Sequence, residues 1–247
     1  MINVFLYSLV SVFLISIISF IGIFTLFLKK EILKKVLLYL VSFTAGALFA
    51  QAFIHLIPES LSRIGPDSTI LVLVGILLFF VIEKFLRWHH CHNSGCPDHK
   101  APIATINLIG DGVHNFVDGL LIAASFTVSL PLGISTSLAI LLHEIPQEIG
   151  DFGVLVHGGM KPKKALIFNF LTAITAIFGV VIFFTLGSFI EGFAYLLLPI
   201  TAGGFIYIAG SDLVPELHRE SNSKKIVVQF AFMLLGIFLM YFLRFIE

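Results

Sequence analysis

The sequence predicts an all-α, polytopic membrane protein, one bundle of eight transmembrane helices. Three observations carry this. Of its 247 residues, 58% are hydrophobic and 12% charged, about half the charged share of a soluble domain. The apolar residues gather into eight stretches, each close to or above the roughly 17–25 residues that cross a bilayer. Thirteen of the fifteen Lys and Arg residues then fall in alternate linkers.

In order, the stretches are about 4–28, 36–57, 69–85, 102–128, 132–156, 165–189, 193–214 and 226–245. The first has 25 residues without a charge. It is too long for a signal-peptide core and lacks a basic start, so it reads as a retained span. Lys29, Lys30, Lys34 and Lys35 follow span 1; Lys84, Arg87 and Lys100 flank the linker after span 3. Lys161, Lys163 and Lys164 follow span 5, and Arg219, Lys224 and Lys225 follow span 7, leaving Arg63 and Arg244 on the other side. Basic linkers stay in the cytoplasm. Both termini are therefore expected outside, in a multi-pass protein of the cell membrane. Zero net charge offers a nucleic acid no electrostatic hold.

Residues 44–59 align without gaps to residues 201–216, with seven of the sixteen positions identical and both segments ending in Pro-Glu. Span 2 runs outward and span 7 inward, so the two halves read as inverted copies, a pattern of secondary transporters. The expected organisation is one domain over 1–247: spans 1–3 (about 4–85), a linker (about 86–101), spans 4–5 (about 102–156) and spans 6–8 (about 165–245). The repeat places His55 and Glu59 at the outer end of span 2, and Asp212 and Glu216 at the inner end of span 7.

Spans 4 and 5 carry the chemistry. Asp111, His114, Asn115 and Asp118 fall at i, i+3, i+4, i+7, one stripe of a helix. On span 5, Glu144, Glu148 and Asp151 share a face, with His143 and Gln147 beside them. His114 lies about 18 Å along span 4 and His143 about 16 Å along span 5 at the helical rise. Both reach the middle of a roughly 30 Å hydrocarbon core. Ionised groups there cost about 2.5–3.5 kcal/mol each on insertion scales, so the expectation is an intramembrane cation site. Imidazole with carboxylate suits zinc, iron or manganese. A structural zinc site closes around four tight ligands with cysteine prominent, whereas a carrier must release its ion. Asp111, Glu148 and Asp151 are expected to hand the ion on.

Pro146 has no N–H, so it is expected to leave the Leu142 carbonyl unpaired and bend span 5. The glycines at 110, 112, 119, 150 and 153 are expected to allow close helix approach. The linker after span 3 gathers His89, His90, Cys91, His92, Cys96 and His99. These could capture a metal weakly, without a zinc-finger spacing; a cytosolic position would keep the two thiols reduced.

At these residues the chain resembles the ZIP (Zrt/Irt-like) family of divalent-metal transporters. His114-Asn115-Phe116-Val117-Asp118-Gly119 is similar to the family's HNxxDG motif, and His143-Glu144-Ile145-Pro146-Gln147-Glu148 to its HExPHE motif. The resemblance implies eight helices in a 3+2+3 inverted repeat and a midplane metal site. Its ligands would be His114, Asn115 and Asp118 on span 4, and His143, Glu144 and Gln147 on span 5. It implies a carrier, not an enzyme, moving zinc first, with iron or manganese as alternatives, toward the cytoplasm. Partners are the metal ion and the lipid bilayer, with a homodimer as one admissible assembly. Gln147 departs from the motif's second His, and span 6 offers Asn169 and Thr172 but no carboxylate for a second metal. Two rival readings are an intramembrane zinc-dependent hydrolase, because His143-Glu144 echoes HExxH, and a metal sensor without transport.

Overall fold

A computed structural model describes residues 2–88, 100–157, 159–187 and 192–245. The His/Cys linker (His89, His90, Cys91, His92, Cys96, His99) lies outside the described residues, as does the side chain of Asp212. Among the described residues the secondary structure is entirely helical, in eight rods. These are α1 (Ile2–Leu26), α2 (Glu31–Ile64), α3 (Ser68–Trp88) and α4 (Lys100–Val128), then α5 (Leu130–His157), α6 (Pro162–Leu186), α7 (Phe193–Leu217) and α8 (Ser223–Leu243). Five of them, α1, α2, α6, α7 and α8, are long and apolar enough to cross a membrane. The rods follow the expected stretches to within about three residues, except α2, which begins five residues before and ends seven residues after the expected 36–57.

The reason for a bundle is the sequence itself. Long Leu, Ile, Val and Phe side chains face outward all round; Phe53, Leu77, Phe178 and Phe230 are each about three-fifths exposed, as suits a lipid-facing surface. The interior is instead built from small residues. Ala45, Ala47, Ala52, Ala123, Ala139 and Ala202 are fully buried, and buried small residues let helices approach closely where lipid removes the hydrophobic drive.

Two π-helical turns interrupt the rods, at Gln51–Leu56 in α2 and Ile208–Leu213 in α7. They sit 157 residues apart, the offset of the sequence repeat. The cause is local. Pro58 and Pro215 follow two residues beyond, and their missing N–H groups favour a widened preceding turn. Ile57 N–H and Val214 N–H accordingly bond five residues back, to Ala52 and Ala209.

On α2 and α7 the helix contacts repeat with the same offset, and their partner residues on α8 and α3 stand 161 apart. A Cβ on Gly46 would meet the Met233 carbonyl of α8 at 2.0 Å, and one on Gly236 the Phe43 carbonyl at 2.1 Å. Moved by 157 residues, the same face of α7 packs on α3: a Cβ on Gly203 would meet the Val72 carbonyl at 2.2 Å, and one on Gly75 the Ile200 carbonyl at 2.3 Å. Ser16 Oγ of α1 also donates to the Ala173 carbonyl of α6 at 2.9 Å, again between residues 157 apart.

Some expectations for individual glycines change. Gly119 does serve close approach, its added Cβ falling 1.9 Å from the Ala176 carbonyl. Gly150 and Gly153 have nothing within 4 Å of that position, and Gly112 meets only the methyls of Thr172 and Thr175 at 3.7 Å. These three are not packing glycines, because no helix backbone lies opposite them.

Gly203→Ala should therefore overpack the α3–α7 contact by about 1–3 kcal/mol and lower the thermal midpoint in detergent by several degrees. Gly153→Ala, built into open space, should leave the midpoint unchanged. Fluorescence-detected melting of the two variants side by side checks this.

Candidate metal centre

α4 and α5 lie side by side in the middle of the bundle and turn their polar stripes toward each other. His114 comes from α4, one turn before Asp118; His143 and Glu144 come from α5. His114 Nε2 lies 3.1 Å from His143 Nε2, the two rings perpendicular with centroids 5.3 Å apart. His143 Nε2 lies 3.2 Å from Asp118 Oδ2 and 3.5 Å from Glu144 Oε1. His114 Nε2 lies 3.6 Å and 3.5 Å from the same two oxygens. One ligand atom from each of the four residues falls within 4.8 Å of the others.

These distances match the edges of a coordination polyhedron. Ligand atoms about 2.0–2.2 Å from a tetrahedral zinc ion are separated by about 3.3–3.6 Å, and the five separations above run from 3.1 to 3.6 Å. The donor set is also starved of partners. Asp118 Oδ1, Asp118 Oδ2 and Glu144 Oε1 are buried and receive no hydrogen bond, in residues only 2% and 1% exposed. Buried carboxylate oxygens without donors are costly, and a cation between them removes that cost. His143 Nδ1 sits 3.3 Å from the Ala139 carbonyl. A proton on that nitrogen directs the Nε2 lone pair at the centre, as in metal-bound histidines. Phe79 of α3 and Phe205 of α7 set ring edges against His114 and His143 and bound the site on two sides.

A second acidic group adjoins the first. Asp111, Glu144 and Glu148 can also bring three oxygens within 4.8 Å, so Glu144 belongs to both groups. Asn115 Nδ2 donates to Asp111 Oδ1 at 2.8 Å, and Gln147 Nε2 to the same oxygen at 3.3 Å. Both amides, expected as metal ligands, thus aim their nitrogens at Asp111. From α6, Thr172 Oγ1 donates to Asp111 Oδ2, and Asn169 Nδ2 donates to Glu148 Oε2 at 2.6 Å. Span 6, which lacks a carboxylate, contributes donors that hold other carboxylates in place.

The Leu142 carbonyl corrects an expectation. Pro146 lies inside an α-helix that runs from Leu130 to His157, and the carbonyl it frees is not left unpaired. Thr44 Oγ1 of α2 donates to it at 2.9 Å. Residue spacing along α5 carries no signal for this, because the donor is 98 positions away.

The pathway residues separate by end. A cavity of about 300 Å³ touches His143, Gln147 and Pro146 and reaches Leu213 and Glu216. A larger one of about 840 Å³ shares Pro146 and Glu216 and opens among Glu31, Lys35, Arg219 and Lys225. The two cavities share Val41, Pro146 and Glu216 and lie between the centre and the end that carries these basic residues. Toward the other end the interior is packed dry: Leu48, Leu56, Leu121, Ile122, Ile140 and Leu198 are each 0–1% exposed. Glu59 is engaged there by Arg63 at 2.8 Å, whose guanidinium lies over the Tyr195 ring at 5.2 Å. His55 Nε2 lies 2.8 Å from the Met240 carbonyl. At the basic end Glu216 pairs with Arg219 at 2.7 Å, and the Lys225 ammonium holds the Glu220 carboxylate below the usual range.

The family model of ZIP zinc transporters matches residues 3–102 and 89–244. The chain belongs to the ZIP family. Zinc transporter ZIP10 of Homo sapiens is 40% identical over 151 residues, covering 56% of this chain and 18% of that protein. Zinc transporter zipt-7.1 of Caenorhabditis briggsae is 30% identical over 283 residues, covering 84% of this chain and 71% of the relative. Metal cation symporter ZIP14 of Mus musculus is 29% identical over 325 residues, 96% of this chain and 66% of the relative. The chain thus spans less than a fifth of ZIP10 and about two thirds of the other two. Membership in this ZIP family, with several apolar rods, makes it a multi-pass membrane protein.

If the four-residue cluster is where an ion sits, Asp118→Asn and His143→Ala should each weaken zinc binding at least about ten-fold. Glu59→Gln, at the far end, should change it by less than about two-fold. Titration calorimetry on the detergent-purified protein reads both.

Proposed function

We propose that this chain carries a divalent transition-metal ion across the cell membrane toward the cytoplasm. Zinc is the first candidate; iron and manganese are the alternatives. The observation that carries the reading is the partner-starved cluster of His114, Asp118, His143 and Glu144, with two adjoining cavities that lead from His143 toward the basic end. Printed names of the relatives, zinc transporters and metal cation symporters, point the same way.

In this reading all eight rods span, with both termini outside and the Lys35, Arg219 and Lys225 mouth in the cytoplasm. α1–α3 and α6–α8 are inverted copies around the central α4–α5 pair. The paired π turns, the glycine contacts of α2 and α7 and the Ser16–Ala173 bond support this 3+2+3 arrangement through the 157-residue offset they share. The conformation is then the inward-open member of an alternating-access pair. Its partner state opens the Glu59 and Tyr195 end and closes the Glu216 end. The metal binds between four ligands whose carboxylates have no competing donors, and leaves past Glu144 to the Asp111 and Glu148 group. Asn115, Gln147, Thr172 and Asn169 hold those last two carboxylates, so the released ion meets oriented oxygens. Asp151 and Glu216 lie further along the same route. The His/Cys linker between α3 and α4 would receive the ion on the cytoplasmic side, and a homodimer is the assembly we would look for first.

Zinc entry into liposomes that enclose a zinc-sensitive dye tests the reading. The wild-type protein should transport, and His114→Ala and His143→Ala should each lower the initial rate at least ten-fold, the order lost when a ligand is removed. Unchanged rates in both variants would sink the site. Competition by iron, manganese and cadmium in the same vesicles ranks the substrates.

A further inference from the structure

We propose that Thr44 is a positioning residue of the metal centre. Its hydroxyl replaces the amide that Pro146 lacks and so holds the peptide segment bearing His143 and Glu144. This rests on the reading of the four-residue cluster as a metal site.

Buried hydroxyls in these helices have a default partner. Ser8, Ser42, Ser60 and Thr201 each donate to the carbonyl four residues back in their own helix, at 2.9, 2.8, 2.6 and 2.8 Å. Thr44 is the repeat counterpart of Thr201, and both are fully buried. Thr201 keeps the default bond, to Leu197. Thr44 does not; its Oγ1 crosses from α2 to α5 and donates to the Leu142 carbonyl at 2.9 Å.

Pro146 is why an acceptor is waiting. The amide at position 146 would otherwise bond Leu142, and proline has none. The acceptor belongs to the peptide that joins Leu142 to His143. Rotating that peptide would move His143 Nε2, now 3.1–3.5 Å from three other ligand atoms, and Glu144 with it. A binding constellation tolerates displacements of only about 0.5 Å. The hydrogen bond also ties α2, whose Val41 lines both inward cavities, to the helix that supplies two ligands.

The test is a cobalt(II) titration of the full-length protein in detergent, reading affinity and the visible ligand-field bands. Thr44→Val should weaken cobalt binding about five- to ten-fold, the order expected for one lost hydrogen bond, and should shift the bands. Thr44→Ala should behave alike, and Thr44→Ser should restore wild-type values. The deciding comparison is made in a Pro146→Ala background, where the returned amide pairs Leu142. There Thr44→Val should alter affinity by less than about two-fold, a non-additivity that packing alone would not produce. Equal losses in both backgrounds, or wild-type affinity and bands in Thr44→Val and Thr44→Ala, would overturn the proposal. A wild-type protein without cobalt bands would overturn the metal centre and this proposal together.

Discussion

The structure depends on two carboxylates, Asp118 and Glu144, buried at mid-bundle beside two imidazoles, with three of their oxygens receiving no hydrogen bond. Removing a charge from water costs several kcal/mol even after the protein relaxes, and a bilayer offers no water to share the load. Acceptors starved of donors at such depth lose that cost when a proton or a cation comes to lie among them. The spacing of the four donor atoms suits a divalent ion.

The surrounding helices explain how this cluster is held yet reachable. Three helix pairs touch through backbone: α2 with α8, α3 with α7, and α4 with α6, the last at both Gly119 and Gly179. Such contacts are rigid and depend on the absence of a side chain. They frame a bundle in which two adjoining cavities near the centre are lined from α2, α5 and α7. Gly150 faces the larger of them, which is why a side chain there would meet nothing. The π turns at symmetric places in α2 and α7 widen a helix where it passes the polar interior, a feature often found at functional sites.

The two ends of the repeat are chemically alike and conformationally different. Glu59 and Glu216 occupy equivalent positions and each pairs with an arginine, Arg63 and Arg219, but Arg63 also lies over Tyr195 whereas Glu216 also lines the inner cavity. In the carrier reading proposed above, these unequal surroundings are the two environments that each half adopts in turn.

Much of this was legible in the residues alone. Hydropathy and the lysine pattern set out eight rods, because a spanning helix must be apolar along its length. The i, i+3, i+4, i+7 spacing put Asp111, His114, Asn115 and Asp118 on one stripe, because helical geometry is local. The Pro-Glu ends announced the repeat. Tertiary packing decided the rest. It chose which members of the two stripes meet, gathering His114, Asp118, His143 and Glu144 and turning the Asn115 and Gln147 nitrogens to Asp111. It supplied Thr44 to the Leu142 carbonyl, and left Gly150 and Gly153 without neighbours. It also set two cavities beside Glu216. Periodicity along a chain reports a residue's face and depth; which atom lies across from it is set by how neighbouring helices rotate and approach, and that depends on the whole bundle.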